Sequence, residues 1–156
     1  MDIQIDIREL IPLENFELGW RFDKTHSDIS VFEKELIQTL SEDESKRLNK
    51  IIDFFENENY LEDKYSETDW MSASSENQEK VERFRSQLEI ILKLWSEDIF
   101  ISWHRKTVLK TTKEIFLKYW DDFLYAGSGD VSIISEKTNW VLFYKHFEVA
   151  NVWSLK

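Results

Sequence analysis

The chain has no cysteine, one proline and three glycines in 156 residues. Without cysteine there is no disulfide, no thiol nucleophile and no Cys-ligated metal. Such a chain suits a reducing compartment, and a cytoplasmic location is the expectation. So little proline and glycine leaves room for few flexible linkers or tight turns, and one domain over residues 1–156 is expected. No repeat of fixed period is visible. No apolar run approaches the roughly 20 residues that a membrane-spanning helix needs. The start, Met1-Asp2-Ile3-Gln4-Ile5-Asp6, has neither the basic opening nor the apolar run of a signal peptide. A membrane is therefore not an expected partner.

Aromatic and acidic residues are abundant. Seven Trp, eleven Phe and five Tyr predict a bulky core. The net charge of −11 is unevenly spread: residues 1–100 hold 25 acids against 12 bases, and residues 101–156 hold 6 against 8. The densest stretch, 41–82, has 13 acids and 5 bases. This balance repels nucleic acid and anionic lipid at long range and attracts basic proteins, polyamines and cations.

Periodicity outlines the elements. Ile3, Ile5 and Ile7 alternate with polar residues, as do Phe16, Leu18, Trp20 and Phe22, and both stretches read as strands. Gly19 within the second predicts a bulge or a close backbone approach. Ile29, Phe32, Leu36 and Leu40 predict a helix capped by Asp28 or Ser30. Ser41 and Glu44 form a capping box before a helix with Leu48, Ile51, Ile52 and Phe55 on one side. Residues 56–74 read as a long loop or a hidden short helix. Ser75 and Gln78 resemble a second capping box, before a helix over about 76–96 with Val81, Phe84, Leu88, Ile91, Leu92 and Trp95 on its stripe. Ile99, Ile101 and Trp103 fit a short strand or the start of another helix. A broad apolar helix follows from about Thr111, with Gly127 suited to cap its end. Three antiparallel strands, about 131–135, 140–146 and 148–154, complete the chain. The fold expectation is α+β: three to four helices packed on an antiparallel sheet with a C-terminal β-meander.

Catalytic patterns are thin, which favours binding over an enzyme. Gly127-Ser128-Gly129-Asp130 stands between helix and strand, whereas a phosphate loop runs from strand to helix. Asp121 and Asp122 point about 100° apart on a helix and do not chelate one ion together; they read as solvated neighbours of a buried Trp120. No His-x-x-x-His or Glu-x-x-His spacing exists, so no metal and no cofactor is expected. The alternative site is a cleft near Trp120 with Tyr144, His146 and Glu148. On one continuous strand the last three share a face and would form a proton-transfer set.

The acidic stretch gives the main candidate. Glu56, Glu58, Glu62, Asp63, Glu67 and Asp69 surround Trp70, which would serve as the apolar anchor of a docking face. The expected partner is a basic protein, and the chain itself a monomer or homodimer. Lys106, Lys110, Lys113 and Lys118 are expected to balance the acidic half within the fold.

Two stretches carry a resemblance. Ile11-Pro12-Leu13 runs through Trp20-Arg21-Phe22, and Tyr119-Trp120-Asp121-Asp122-Phe123-Leu124-Tyr125 is followed by Trp140-Val141-Leu142-Phe143-Tyr144-Lys145-His146. The arrangement resembles a family of small bacterial proteins known as a domain of unknown function. In general style it is similar to acidic immunity proteins that neutralise toxins delivered between bacteria. That likeness implies a toxin-neutralising or inhibitor role and no catalytic residues.

Overall fold

A computed structural model describes residues 2–124 and 129–156, with Glu58 described in its backbone alone. Gly127 and the Gly127-Ser128 half of the glycine loop lie outside the described residues. In chain order the elements are β1 (Leu10–Ile11), α1 (Val31–Lys34), β2 (Gln38–Leu40), α2 (Glu42–Phe55), α3 (Glu58–Lys64), β3 (Tyr65–Glu67) and β4 (Met71–Ser72). Then come α4 (Gln78–Ile91), β5 (Ile99–Trp103), β6 (Thr107–Thr111), α5 (Lys113–Lys118), α6 (Trp120–Phe123), β7 (Val131–Ser135), β8 (Trp140–Lys145) and β9 (Val149–Leu155). Single 3-10 turns cover Ile7–Glu9, Leu13–Asn15 and Gly19–Phe22.

The fold is α+β, built on one antiparallel sheet in the order β1-β2-β6-β5-β7-β8-β9-β3, with β4 also beside β9. Strands β7, β8 and β9 form the expected C-terminal meander. Successive side chains of a strand point to opposite faces, and here both faces are covered. On one, Phe84 and Leu88 of α4, Phe116 of α5 and Trp120 of α6 pack over Ile101, Ile133, Leu142 and Val152. On the other, Leu48, Ile52 and Phe55 of α2 and Leu61 of α3 pack over Phe100, Ile134, Val141 and Trp153. This double cover explains why every residue of β5 is buried.

The caps follow the physics of unsatisfied helix N–H groups. Ser30 and Glu33 make a full capping box on α1. Ser41 accepts from Glu44 N, but the Glu44 carboxylate turns to Arg47 and to the backbone N–H of Asp6, leaving half a box. Asn77, not Ser75, caps α4. Thr112 caps α5.

Several expectations change. Ile3–Ile7 is not a strand: Ile3 is buried and donates its N–H to Glu136 O at 2.8 Å, and Ile7 opens a 3-10 turn with its side chain exposed. Residues 16–22 fold as turns that place Phe16, Leu18 and Phe22 in the core. Gly19 is needed there for close approach, since a Cβ would stand 2.2 Å from Leu13 O. The helix expected to reach Leu40 stops at Lys34, because β2 supplies the ladder between β1 and β6. The 56–74 stretch contains α3, β3 and β4. Thr107–Thr111, just ahead of the expected helix, is β6. It is a strand joined to β5 through His104 and Arg105, whose positive φ angles of 53° and 59° make the turn.

Candidate functional site

On the sheet face that carries α2, strand register sets side chains in rows. Phe100 pairs with Ile134, Ile134 with Val141, and Val141 with Trp153, giving an apolar row under α2 and α3. Two residues further along each strand, Ser102 pairs with Ser132, Ser132 with Phe143, and Phe143 with Asn151. Three of these four are polar, and they floor a cleft of about 630 Å³.

Each polar floor residue is held by a neighbouring element. Ser102 Oγ donates to Asn49 Oδ1 at 2.6 Å, and Ser132 Oγ donates to Glu56 Oε1 at 2.8 Å. Asn151 Nδ2 donates to Glu67 Oε1 at 2.7 Å. Asn49, Asp53 and Glu56 stand at i, i+4 and i+7 along α2, so one helix stripe supplies one wall. Two buried polar atoms lining this cleft have no hydrogen-bond partner among the described residues: Asn49 Nδ2 and Asn151 Oδ1. Their residues are 4% and 1% exposed. A buried polar atom left unpaired costs about 1–3 kcal/mol.

The walls are acidic. Asp53, Glu56 and Glu67 line the cleft together with Trp70, which is 49% exposed. At the rim, Asp130 accepts from His146 N at 2.9 Å and lies 3.0 Å from His146 Nδ1 and 3.6 Å from Lys145 Nζ. Burial opposes charge on Asp130, yet the His146 hydrogen bonds and the Lys145 ammonium hold its carboxyl below the usual range. His104 and Arg105 complete that rim. Four carboxylates thus line the cleft against one arginine and one lysine, and the lysine is already turned to Asp130.

The acidic stretch divides into flanks that are paired except at Asp43 and an unpaired middle. Glu42 pairs with Lys46, Glu44 with Arg47, Glu76 with Lys80, Glu79 with Arg83 and Glu82 with Arg85. Among the described residues, no ion pair involves Asp53, Glu56, Glu62, Asp63, Glu67 or Asp69. Of the residues singled out by sequence, Glu56, Glu67 and Trp70 of the acidic set meet in the cleft, and Tyr144 and His146 of the alternative set also line it. Glu62 and Asp63 are exposed on α3, and Asp69 is exposed beside Trp70. The side chain of Glu58 lies outside the described residues. The cations of the C-terminal part serve the fold: Lys110 meets Glu136 at 2.9 Å, Lys118 meets Glu33 at 2.9 Å, and Lys113 donates to the carbonyls of Leu92 and Trp95.

Trp120, Tyr144, His146 and Glu148 do not assemble as a proton-transfer set. Trp120 is buried on the opposite face, donating Nε1–H to Val81 O at 3.0 Å. Tyr144 is in that same core, where burial pushes its hydroxyl up to about 12. β8 ends at Lys145, so His146 sits in the following turn, its side chain 66% exposed, against Asp130. Glu148 closes the turn with a φ of 63°. Asp122 also departs from the solvated reading. It is half-buried against Ser27 Oγ at 2.5 Å, and burial raises its carboxyl to about 6. Among the described residues, no three His, Asp or Glu side chains group as a metal site, and no helix is long and apolar enough to cross a membrane.

Sequence reading missed Asn49, Ser102, Ser132 and Asn151. The signal was present as small polar residues between apolar neighbours: Ser102 in Ile99–Trp103, Ser132 in Val131–Ser135 and Asn151 in Val149–Leu155. Only register shows that they share one row.

The family model described as protein of unknown function (DUF2947) matches residues 10–151, and the chain belongs to this family. No match to a curated protein or a solved structure was found.

Proposed function

We propose that this DUF2947 chain is a binding domain for a basic protein, docked at the cleft between α2, β3 and the polar row of the sheet. The supporting observation is the contrast within the acidic stretch. Five of its six flanking carboxylates, all but Asp43, have cationic partners at i+3 or i+4, whereas Asp53, Glu56 and Glu67 have none among the described residues and converge around the half-exposed Trp70. Carboxylates serving solubility alone have no reason to gather at one concavity. Uncompensated charge of one sign steers a partner of the other sign and speeds encounter, and an indole that becomes buried on binding supplies affinity. A toxin-neutralising or inhibitor role is the sharpest form of this reading. It asks for the same geometry: a tight acidic docking face and no catalytic set.

The test compares the wild-type chain with the triple variant Asp53→Asn, Glu56→Gln, Glu67→Gln. These amides keep an acceptor for Ser132 and Asn151 and remove the charge. Tagged proteins are used for affinity capture from native lysate at about 50 mM and about 500 mM salt, a span over which exposed charges become strongly screened. The expected result is a stoichiometric basic protein on wild type at low salt, lost at high salt and absent from the folded variant. Equal capture by the variant, or no partner at either salt, overturns the proposal.

A further inference from the structure

We infer that the cleft takes its partner as an extended peptide segment of about four residues lying across β5, β7, β8 and β9, its main chain bonded by Asn49 and Asn151. The inference rests on the basic-partner reading above and specifies what part of that partner enters. Two buried polar atoms under the cleft lack partners among the described residues and are of opposite kind, a donor on Asn49 and an acceptor on Asn151. A peptide main chain offers one carbonyl and one N–H per residue and satisfies both. The χ2 torsion of an asparagine is broad, so a modest swing presents each atom to the cleft.

Spacing selects the ligand. Asn49 is tied to Ser102 on β5, while Asn151 belongs to β9. Three inter-strand steps of about 4.8 Å separate those strands, roughly 14 Å in all. A single amide or a simple cation cannot reach both ends. An extended chain, at about 3.3 Å per residue, covers the distance in about four residues. Small-molecule sites are mostly apolar and enclose their ligand; the floor here is polar. Glu56 and Asp53 flank the Asn49 end, and Glu67 and Trp70 flank the Asn151 end. Basic side chains projecting from the segment would meet unpaired carboxylates at both ends, and Trp70 offers a ring face to a guanidinium.

The experiment is an NMR titration of the full chain with three probes: a capped hexapeptide alternating arginine and valine, the same peptide with N-methylated backbone amides, and spermidine. The expected result is that the hexapeptide shifts the amide signals of Asn49, Ser102, Ser132 and Asn151 and binds about tenfold more tightly than its N-methylated form, as loss of the one hydrogen bond to Asn151 Oδ1 implies. Asn151→Val should remove that tenfold difference. Equal binding of the N-methylated peptide, or the same asparagine shifts with spermidine, overturns the inference because charge alone would suffice. So does a silent hexapeptide when captured partner still depends on Asp53, Glu56 and Glu67; in that case the basic-partner reading survives. Loss of the carboxylate-dependent partner itself is the separate failure of that reading.

Discussion

Replacing Asn151 by valine separates a residue kept for binding from one kept for stability. Asn151 is 1% exposed, and its Oδ1 has no hydrogen-bond partner among the described residues. That orphan acceptor costs about 1–3 kcal/mol, and the substitution removes it. What is lost is the Nδ2 hydrogen bond to Glu67 at 2.7 Å. A bond to a charged group contributes about 1.5–3 kcal/mol, but Glu67 is exposed and regains water, which reduces the loss to about 1 kcal/mol. Valine also suits a strand by a few tenths of a kcal/mol. The balance leaves Asn151→Val equal in stability to wild type or up to about 2 kcal/mol more stable. Trp153→Ala, two residues along on the same face, is the contrast. It opens the apolar row beneath α2 and α3 and should cost about 3–5 kcal/mol. Urea unfolding at constant m-value measures both. A loss above about 2 kcal/mol for Asn151→Val would refute the reasoning, because the polar row would then be a stabilising device rather than a floor held ready for a ligand.

Other consequences are also measurable. Burial raises the Asp122 carboxyl from 3.8 to about 6, with Asp121 and Asp28 adding to the rise and the Ser27 hydrogen bond opposing it. The folded state therefore takes up a proton there. The stabilising contribution of the neutral form is complete below about pH 3.8 and is lost as pH rises through about 6. Asp122→Asn should be about 1 kcal/mol more stable than wild type at high pH, after discounting for partial exposure, with the difference vanishing in acid. The same difference at both pH values would refute this assignment. Gly19→Ala drives a Cβ to 2.2 Å from Leu13 O. It should cost about 3 kcal/mol and lower Tm by roughly 6–12 °C; an unchanged Tm would mean that the turn yields freely. Ser41→Ala removes the acceptor for Glu44 N at the start of α2 and should cost about 1 kcal/mol in chemical denaturation.

Elements with their own local signals were legible in the sequence. The stripe of Leu48, Ile52 and Phe55 behind Ser41 gave α2, and Val81, Phe84 and Leu88 gave α4. The C-terminal strands matched within a residue or two at each end. Elements that exist through tertiary pairing were missed. Gln38–Leu40 continues a helical pattern, but the ladder between β1 and β6 claims it. Thr107–Thr111 carries Lys110 and looks amphipathic on a helix, yet Val108 and Leu109 are buried on opposite faces of the sheet. Ile3, Ile5 and Ile7 alternate without a strand beside them to pair with. At the site, charge density pointed to Glu56, Glu67 and Trp70. The floor residues depend on register across four strands, which alternation within each strand does not specify. His146 and Glu148 failed as a pair because the alternating pattern hides a turn after Lys145.

Radical footprinting at two tryptophans tests docking at the cleft most directly. Trp70 at the cleft and Trp20 near His26 are similarly exposed, at 49% and 44%. Each serves as the other's control for hydroxyl-radical oxidation of the free chain and of its complex with the salt-sensitive basic partner. The account predicts strong protection of Trp70 and unchanged oxidation of Trp20. Protection of Trp20 with Trp70 still fully reactive would contradict it.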